Sequence, residues 1–222
     1  MSNHLQECIG TLRARIARMT AQIQGGVEDV VQAFLGADAA LAKQVVELDR
    51  RIDDEEVQIE KEAIDLLALH QPAARDLRLI TTIIKANADL ERIADCAVNI
   101  AHRVIALAQL ETYKVSPDLR LMATSVVETL RRSLQAFNLS NELLARQTLR
   151  DDDVIDALYH QIFTETLSHM QTPGPNANAV LATIMIAKNL ERLSDHCMNI
   201  VEDVIYLHTG RIIRHKHALE QA

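Results

Sequence analysis

The chain has 222 residues, 48% of them apolar and 24% charged, and its 31 acids against 23 bases leave a formal charge of −8. An acidic chain with 3% aromatics and no long basic tract lacks the electrostatic footprint of a nucleic-acid binder. Six glycines and four prolines supply too few turns for a β protein, and the wealth of Leu, Ala, Ile, Glu and Arg points to an all-α chain.

The predicted elements are long because punctuation is sparse. The first helix covers 3–35, loosened at Gly25-Gly26 and ended by Gly36-Ala37, with Asp38 as the cap of the next. The second runs over 38–70 and stops at Pro72. The third spans 74–110. Ser116-Pro117 then opens a fourth over 117–148, with Ser at the N-cap and Pro at the first helical position. "RDDDV" reads as the acidic start of a fifth helix over 151–170, and Thr172-Pro173-Gly174-Pro175 separates it from a sixth over 177–209. The basic cluster "GRIIRHKH" (210–217) reads as a solvated helix end.

Cys8, Cys96 and Cys197 form no C-x-x-C pair, and their odd number fits free thiols in a reducing compartment. The N-terminus shows no signal-peptide pattern, and apolar runs such as "IMIA" (184–187) are far too short to span a bilayer. The expected location is cytoplasmic, with membranes reached only through partners.

One phrase is written twice. "DLERIADCAVNIA" (89–101) and "NLERLSDHCMNIV" (189–201) align without a gap at a distance of 100 residues, and six of the twelve positions from Leu90 and Leu190 onward are identical. The breaks near 71–76 and 171–176 share that distance. The chain therefore reads as two antiparallel three-helix bundles, 1–112 and 113–222, related by an internal repeat.

Within the third helix, Leu90, Ile93, Ala97, Ile100 and Val104 follow a 3-4-3-4 spacing that marks a hydrophobic seam. At roughly 100° per residue, with Leu90 as zero, the seam centres near about −30°. Glu91, Asp95, Asn99 and His102 then form a polar stripe well away from it, between about 100° and 180°. Glu191, Asp195, Asn199 and Glu202 make the equivalent stripe in the second copy. A solvated face, with Arg92 and Arg192 as ion-pair partners, explains one such stripe. Its repetition argues for more, because unbridged carboxylates at i, i+4 repel by a few tenths of a kcal/mol.

The preceding helix of each repeat adds a second acidic pair: Asp49 and Asp53, followed by Glu56 and Glu60, and Asp152 and Asp156, followed by His160. If the pairs face each other, four carboxylates converge and require cations. Oxygen donors suit magnesium, manganese, calcium or iron, and zinc where His joins. A buried di-iron oxygen-activating centre is disfavoured, since no Glu-x-x-His occurs and the stripe faces away from the seam. Gly-rich phosphate loops, G-x-S-x-G and H-E-x-x-H are absent. His196, beside Asp195, is a weaker candidate. Cys96 and Cys197 lie one position out of register between the copies, which marks them as packing residues.

"QPAARDLRLITTIIKANADLERIADCAVNIA" (71–101) and "MIAKNLERLSDHCMNIV" (185–201) resemble the PhoU family of phosphate-signalling regulators, with similarity over almost the whole chain. The resemblance implies two tandem three-helix bundles and surface clusters of iron or zinc. By matching motif positions it implies metal ligands at Asp49, Asp53, Glu91 and Asp95, and at Asp152, Asp156, Glu191 and Asp195, with Asn99 and Asn199 as weaker candidates. The second copy departs from the pattern where Asp76-Leu77-Arg78 is replaced by Asn176-Ala177-Asn178.

The function expected from the resemblance is regulation of phosphate uptake and of phosphate-starvation transcription, without catalysis. The chain would couple a Pst-type phosphate ABC transporter to a PhoR-type sensor histidine kinase, and its long helical surfaces suit a homodimer. Two rival readings use the same residues: a metal-dependent phosphohydrolase, and a purely structural helical adaptor whose acids only solubilise it.

Overall fold

The computed structural model describes residues 3–110, 114–149, 153–169 and 176–213. Its regular elements are helices: α1 (Asn3–Gly36), α2 (Ala39–His70), α3 (Ala74–Leu107), α4 (Pro117–Asn138), α5 (Glu142–Leu149), α6 (Asp153–His169) and α7 (Ala177–Thr209). No strand occurs among the described residues.

Local chemistry sets most of the ends. Ala37 takes a left-handed conformation (φ 54°), and the Asp38 N–H closes α1 by donating to the Ala33 carbonyl at 2.9 Å. The Asp38 carboxylate then accepts from the N–H groups of Ala40 and Leu41 at 2.9 and 3.0 Å, which starts α2. At the far end Gln71 turns left-handed (φ 44°), with Pro72 beyond it. Ser116 caps α4 by accepting the Leu119 N–H at 3.2 Å, with Pro117 just inside the helix.

Two expectations need correction. Gly25-Gly26 does not loosen α1, which is continuous over Asn3–Gly36. A Cβ on Gly26 would stand 2.9 Å from Leu48 Cδ2, so this glycine serves the close approach of α1 to α2. Nor does one helix fill 117–148. The chain stops at Asn138, turns through Ser140 (φ 48°), and restarts where the Asn141 side chain accepts the Leu144 N–H at 3.1 Å. Asn141 stands 103 residues after Asp38, the same offset that separates Asp156 from Asp53. Helices α5 and α6 together are thus the counterpart of α2, and α6 begins at Asp153, within the acidic "RDDDV" expected to open a helix.

Helices α1, α2 and α3 pack mutually, as do α4, α5, α6 and α7 around α7. The boundary expected at 112/113 falls among residues 111–113, outside the described set. The seam Leu90, Ile93, Ala97, Ile100 and Val104 is buried, and so is its copy Leu190, Leu193, Cys197, Ile200 and Val204. The two bundles share one continuous apolar core, because α3 and α7 also pack against each other and α1 touches α4.

The face of α3 turned to α7 carries polar groups, three of which meet partners on α7. Lys85 Nζ lies 3.3 Å from Oδ1 of Asp203, whose side chain is 3% exposed. Arg78 Nε donates to the Leu207 carbonyl at 3.2 Å. Asp89 Oδ1 accepts from His196 Nδ1 at 2.8 Å and from Asn199 Nδ2 at 3.1 Å. A carboxylate oxygen only accepts, so Nδ1 is the protonated nitrogen of His196 in this pair. Buried polar groups are tolerable in a helix–helix contact only when matched in this way, and matching fixes the crossing register.

Candidate metal centres on two acidic helix faces

Each acidic face is built by an antiparallel helix pair. In the first bundle α2 supplies Asp49 and Asp53 one turn apart, with Glu56 on the next turn, and α3 supplies Glu91 and Asp95. The two helices bring these groups together: the charge of Asp95 acts on Asp49, and that of Asp53 acts on Glu91.

Partial burial is the main cause that raises the Asp49 carboxyl above the ordinary aspartate range; Asp53 and Asp95 add to it, and His102 opposes. Glu91 is raised by burial, then by Asp95, against Arg92, with Asp53 and Glu56 adding. Glu56 is raised by burial, then by Glu60 and Asp53, again against Arg92. A raised acid costs the folded state stability at neutral pH, and the cost is lifted as pH falls through the folded value or when a cation binds. Arg92 is the resident counter-charge, with Nε 3.3 Å from Glu91 Oε2 and Nη1 3.6 Å from Asp95 Oδ2. It is 57% exposed and free to swing away.

In the second bundle α6 contributes Asp156 and α7 contributes Glu191 and Asp195. One carboxylate oxygen from each lies within 4.8 Å of the other two. Oxygens held about 2.1–2.4 Å from a shared cation stand at most ~4.8 Å apart, so this spacing fits one ion. Among the described residues the four acids of the first bundle do not converge as tightly. Asp152 lies outside the described residues.

Sequence reasoning missed one member of this second face. Lys188 Nζ is 2.7 Å from Glu191 Oε2 and 5.2 Å from the Tyr159 ring centroid. The hydrogen bond to Glu191, ahead of an opposing burial effect, holds the Lys188 ammonium above its ordinary range. The signal was the i, i+3 spacing in "KNLER", where the first copy has Ala88 in place of Lys188. An ion at the second site must therefore share Glu191 with an internal ammonium. The donor sets of both faces are hard carboxylate oxygens at least partly open to water, which fits iron, manganese or magnesium, and zinc as a weaker match.

Other candidates have different surroundings. Asn199 and His196 are engaged by Asp89 across the bundle contact and face α3. Asn99 is exposed. Arg78, which the second copy lacks, holds the C-terminal carbonyl of Leu207 on α7. Cys96 and Cys197 are buried, and burial pushes the Cys96 thiol up to about 11, as suits a packing residue.

Comparison with known proteins gives one consistent result. The family model described as "PhoU domain" matches twice, over residues 16–104 and 119–204. A Pseudomonas putida protein named "Phosphate-specific transport system accessory protein PhoU homolog" is 37% identical, over 92% of this chain and 80% of its own length. An Aquifex aeolicus protein of the same name is 34% identical, over 94% and 95%. The crystal structure of PhoU from Pseudomonas aeruginosa superimposes with a TM-score of 0.89 at 34% identity, covering 93% of this chain and 99% of that one. The phosphate transport system regulatory protein PhoU from Streptococcus pneumoniae gives 0.86 at 25% identity, covering 94% and 98%. With both halves matched and relatives aligned over nine-tenths of its length, the chain belongs to the PhoU family, a tandem repeat of the PhoU domain.

Proposed function

We propose that the protein regulates phosphate uptake and the transcriptional response to phosphate starvation, coupling a Pst-type phosphate transporter to a PhoR-type sensor histidine kinase. The observation that carries this reading is the full-length similarity to proteins named as accessory to a phosphate-specific transport system. The fold suits the role: no helix among the described residues is long and apolar enough to cross a membrane, and long helical faces suit docking to other helices. In this reading the protein works in the cytoplasm as a homodimer, and it acts by binding rather than by turnover.

The acidic faces would hold iron, zinc, manganese or magnesium. Asp49, Asp53, Glu91 and Asp95 serve one bundle, and Asp152, Asp156, Glu191 and Asp195 the other. A cation bound by carboxylates on an open surface keeps positions for water or phosphate oxygens, which gives the regulator a direct means of reading phosphate. Deleting the gene should derepress phosphate-starvation genes in phosphate-rich medium, and the wild-type gene should restore repression. Normal repression in a deletion strain without a paralogue would overturn the regulatory reading. Turnover of phosphate esters by the purified metal-loaded protein would overturn the non-catalytic part.

A further inference from the structure

A different donor set gathers at one end of the first bundle. His4 and Cys8 stand one turn apart near the start of α1, and His70 is the last residue of α2. Antiparallel packing of α1 on α2 brings the three to one level, and one donor atom from each lies within 4.8 Å of the other two. Cys8 Sγ is 3.9 Å from His4 Nε2. The His4 and His70 rings meet edge to face, with centroids 5.4 Å apart. Cys8 and His70 are half-buried and His4 is exposed, so the cluster opens to solvent on one side.

Cys8 borders the apolar core, but neither packing nor capping accounts for the two imidazoles gathered beside it. The seam of α1 is made by Leu5, Ile9, Leu12 and Ile16, and the end of α2 is closed by the left-handed Gln71, whose N–H reaches the Leu67 carbonyl at 3.2 Å. The other two cysteines are buried elsewhere, which leaves Cys8 without a disulfide partner.

We propose that His4, Cys8 and His70 form a binding site for a borderline transition-metal ion, zinc foremost, separate from the acidic faces. Two imidazoles and a thiolate are the donors that zinc selects, and magnesium or calcium reject. Around a tetrahedral zinc, with Zn–S about 2.3 Å and Zn–N about 2.0–2.1 Å, the sulfur and a ring nitrogen stand roughly 3.5 Å apart. The Cys8–His4 separation of 3.9 Å is within a small side-chain adjustment of that. All three ligands sit on helices, so little chain has to be ordered on binding. Cys8 releases its thiol proton to solvent as it binds, both His bind neutral, and the fourth position stays open to water or another ligand. The ion ties the first turns of α1 to the last turn of α2.

Cobalt(II) separates this site from the carboxylate faces, because only a thiolate ligand gives a sulfur-to-cobalt charge-transfer band in the near ultraviolet. The full-length protein, kept reduced with a non-chelating phosphine, should develop that band up to one equivalent per chain and lose it on adding zinc. Cys8→Ser should abolish the band, and His4→Ala and His70→Ala should each weaken cobalt binding at least tenfold. Asp95→Asn and Asp195→Asn should leave the band unchanged. Since His4 is exposed, His4→Ala tests the site without risk to the fold. Absence of the band in the folded wild type, or its persistence in Cys8→Ser, overturns the proposal.

Discussion

Replacing Asp89 by alanine should loosen the contact between the two bundles. Its carboxylate accepts hydrogen bonds from His196 at 2.8 Å and Asn199 at 3.1 Å, with side chains only 14% (Asp89) and 19% (His196) exposed. Hydrogen bonds to a charged group are worth about 1.5–3 kcal/mol, and a donor left unpaired in a buried place costs about 1–3 kcal/mol. Partial exposure lets water repair some of this, so the expected loss is about 2–3 kcal/mol. For a chain of this size each kcal/mol moves the melting temperature by roughly 2–4 °C, which gives a fall of about 5–10 °C. Asp89→Asn should lose less, because its amide oxygen still accepts one of the two bonds. A double-mutant cycle with His196→Ala should give a coupling of about 1 kcal/mol or more. Asp89 and Glu91 point about 160° apart around α3, so metal binding at the first acidic face should not change. Thermal and urea melts decide the matter. A melting temperature within about 1 °C of wild type, or strictly additive single mutants, would refute the assigned role.

Further outcomes are open to measurement. Asp195→Ala should remove metal from the second bundle alone, read by elemental analysis after loading with iron or manganese, because it deletes one of three converging carboxylates and no core atom. The hydrogen bond from Arg15, opposed by burial and aided by the charges of Arg15 and Arg18, holds the Glu55 carboxyl below its ordinary range. A depressed acid stabilises above its unfolded pKa and loses that contribution as pH falls through the folded value. Glu55→Gln should therefore lower urea stability by about 1 kcal/mol at pH 7, a difference that vanishes well below pH ~4. Gly25→Ala meets no atom within 4 Å and should stabilise α1 by about 0.5–1 kcal/mol. Gly26→Ala must displace Leu48 and should gain less, so equal melting shifts for the two would contradict the close approach of α1 and α2.

What the sequence determined is everything that depends on neighbours along one helix. The 3-4 spacing of Leu90, Ile93, Ala97, Ile100 and Val104 specifies a buried seam wherever that helix packs, and all five are buried. Asp49 with Asp53 and Glu91 with Asp95 share a helix face because i, i+4 spacing requires it. Asp38, Ser116 and Pro117 set helix ends through bonds and dihedrals within four residues, and the repeated phrase carried the two-bundle plan and the family. The break after Asn138 escaped this reading because it uses no glycine or proline, only the side-chain cap of Asn141 and a left-handed Ser140.

Relations across helices were decided by packing alone, since they depend on which faces meet and at what register. On α3 the seam reading left the Asp89 side unassigned, and contact with α7 gave Asp89 the side chains of His196 and Asn199. Lys188 meets Glu191 along its own helix, but only packing set its ammonium beside the Tyr159 ring of α6. His4 and His70 are 66 positions apart in the chain, and no periodicity links them. Antiparallel packing of α1 and α2 brings their rings to 5.4 Å, because helices of 34 and 32 residues joined by a short turn return the chain to the level where it began.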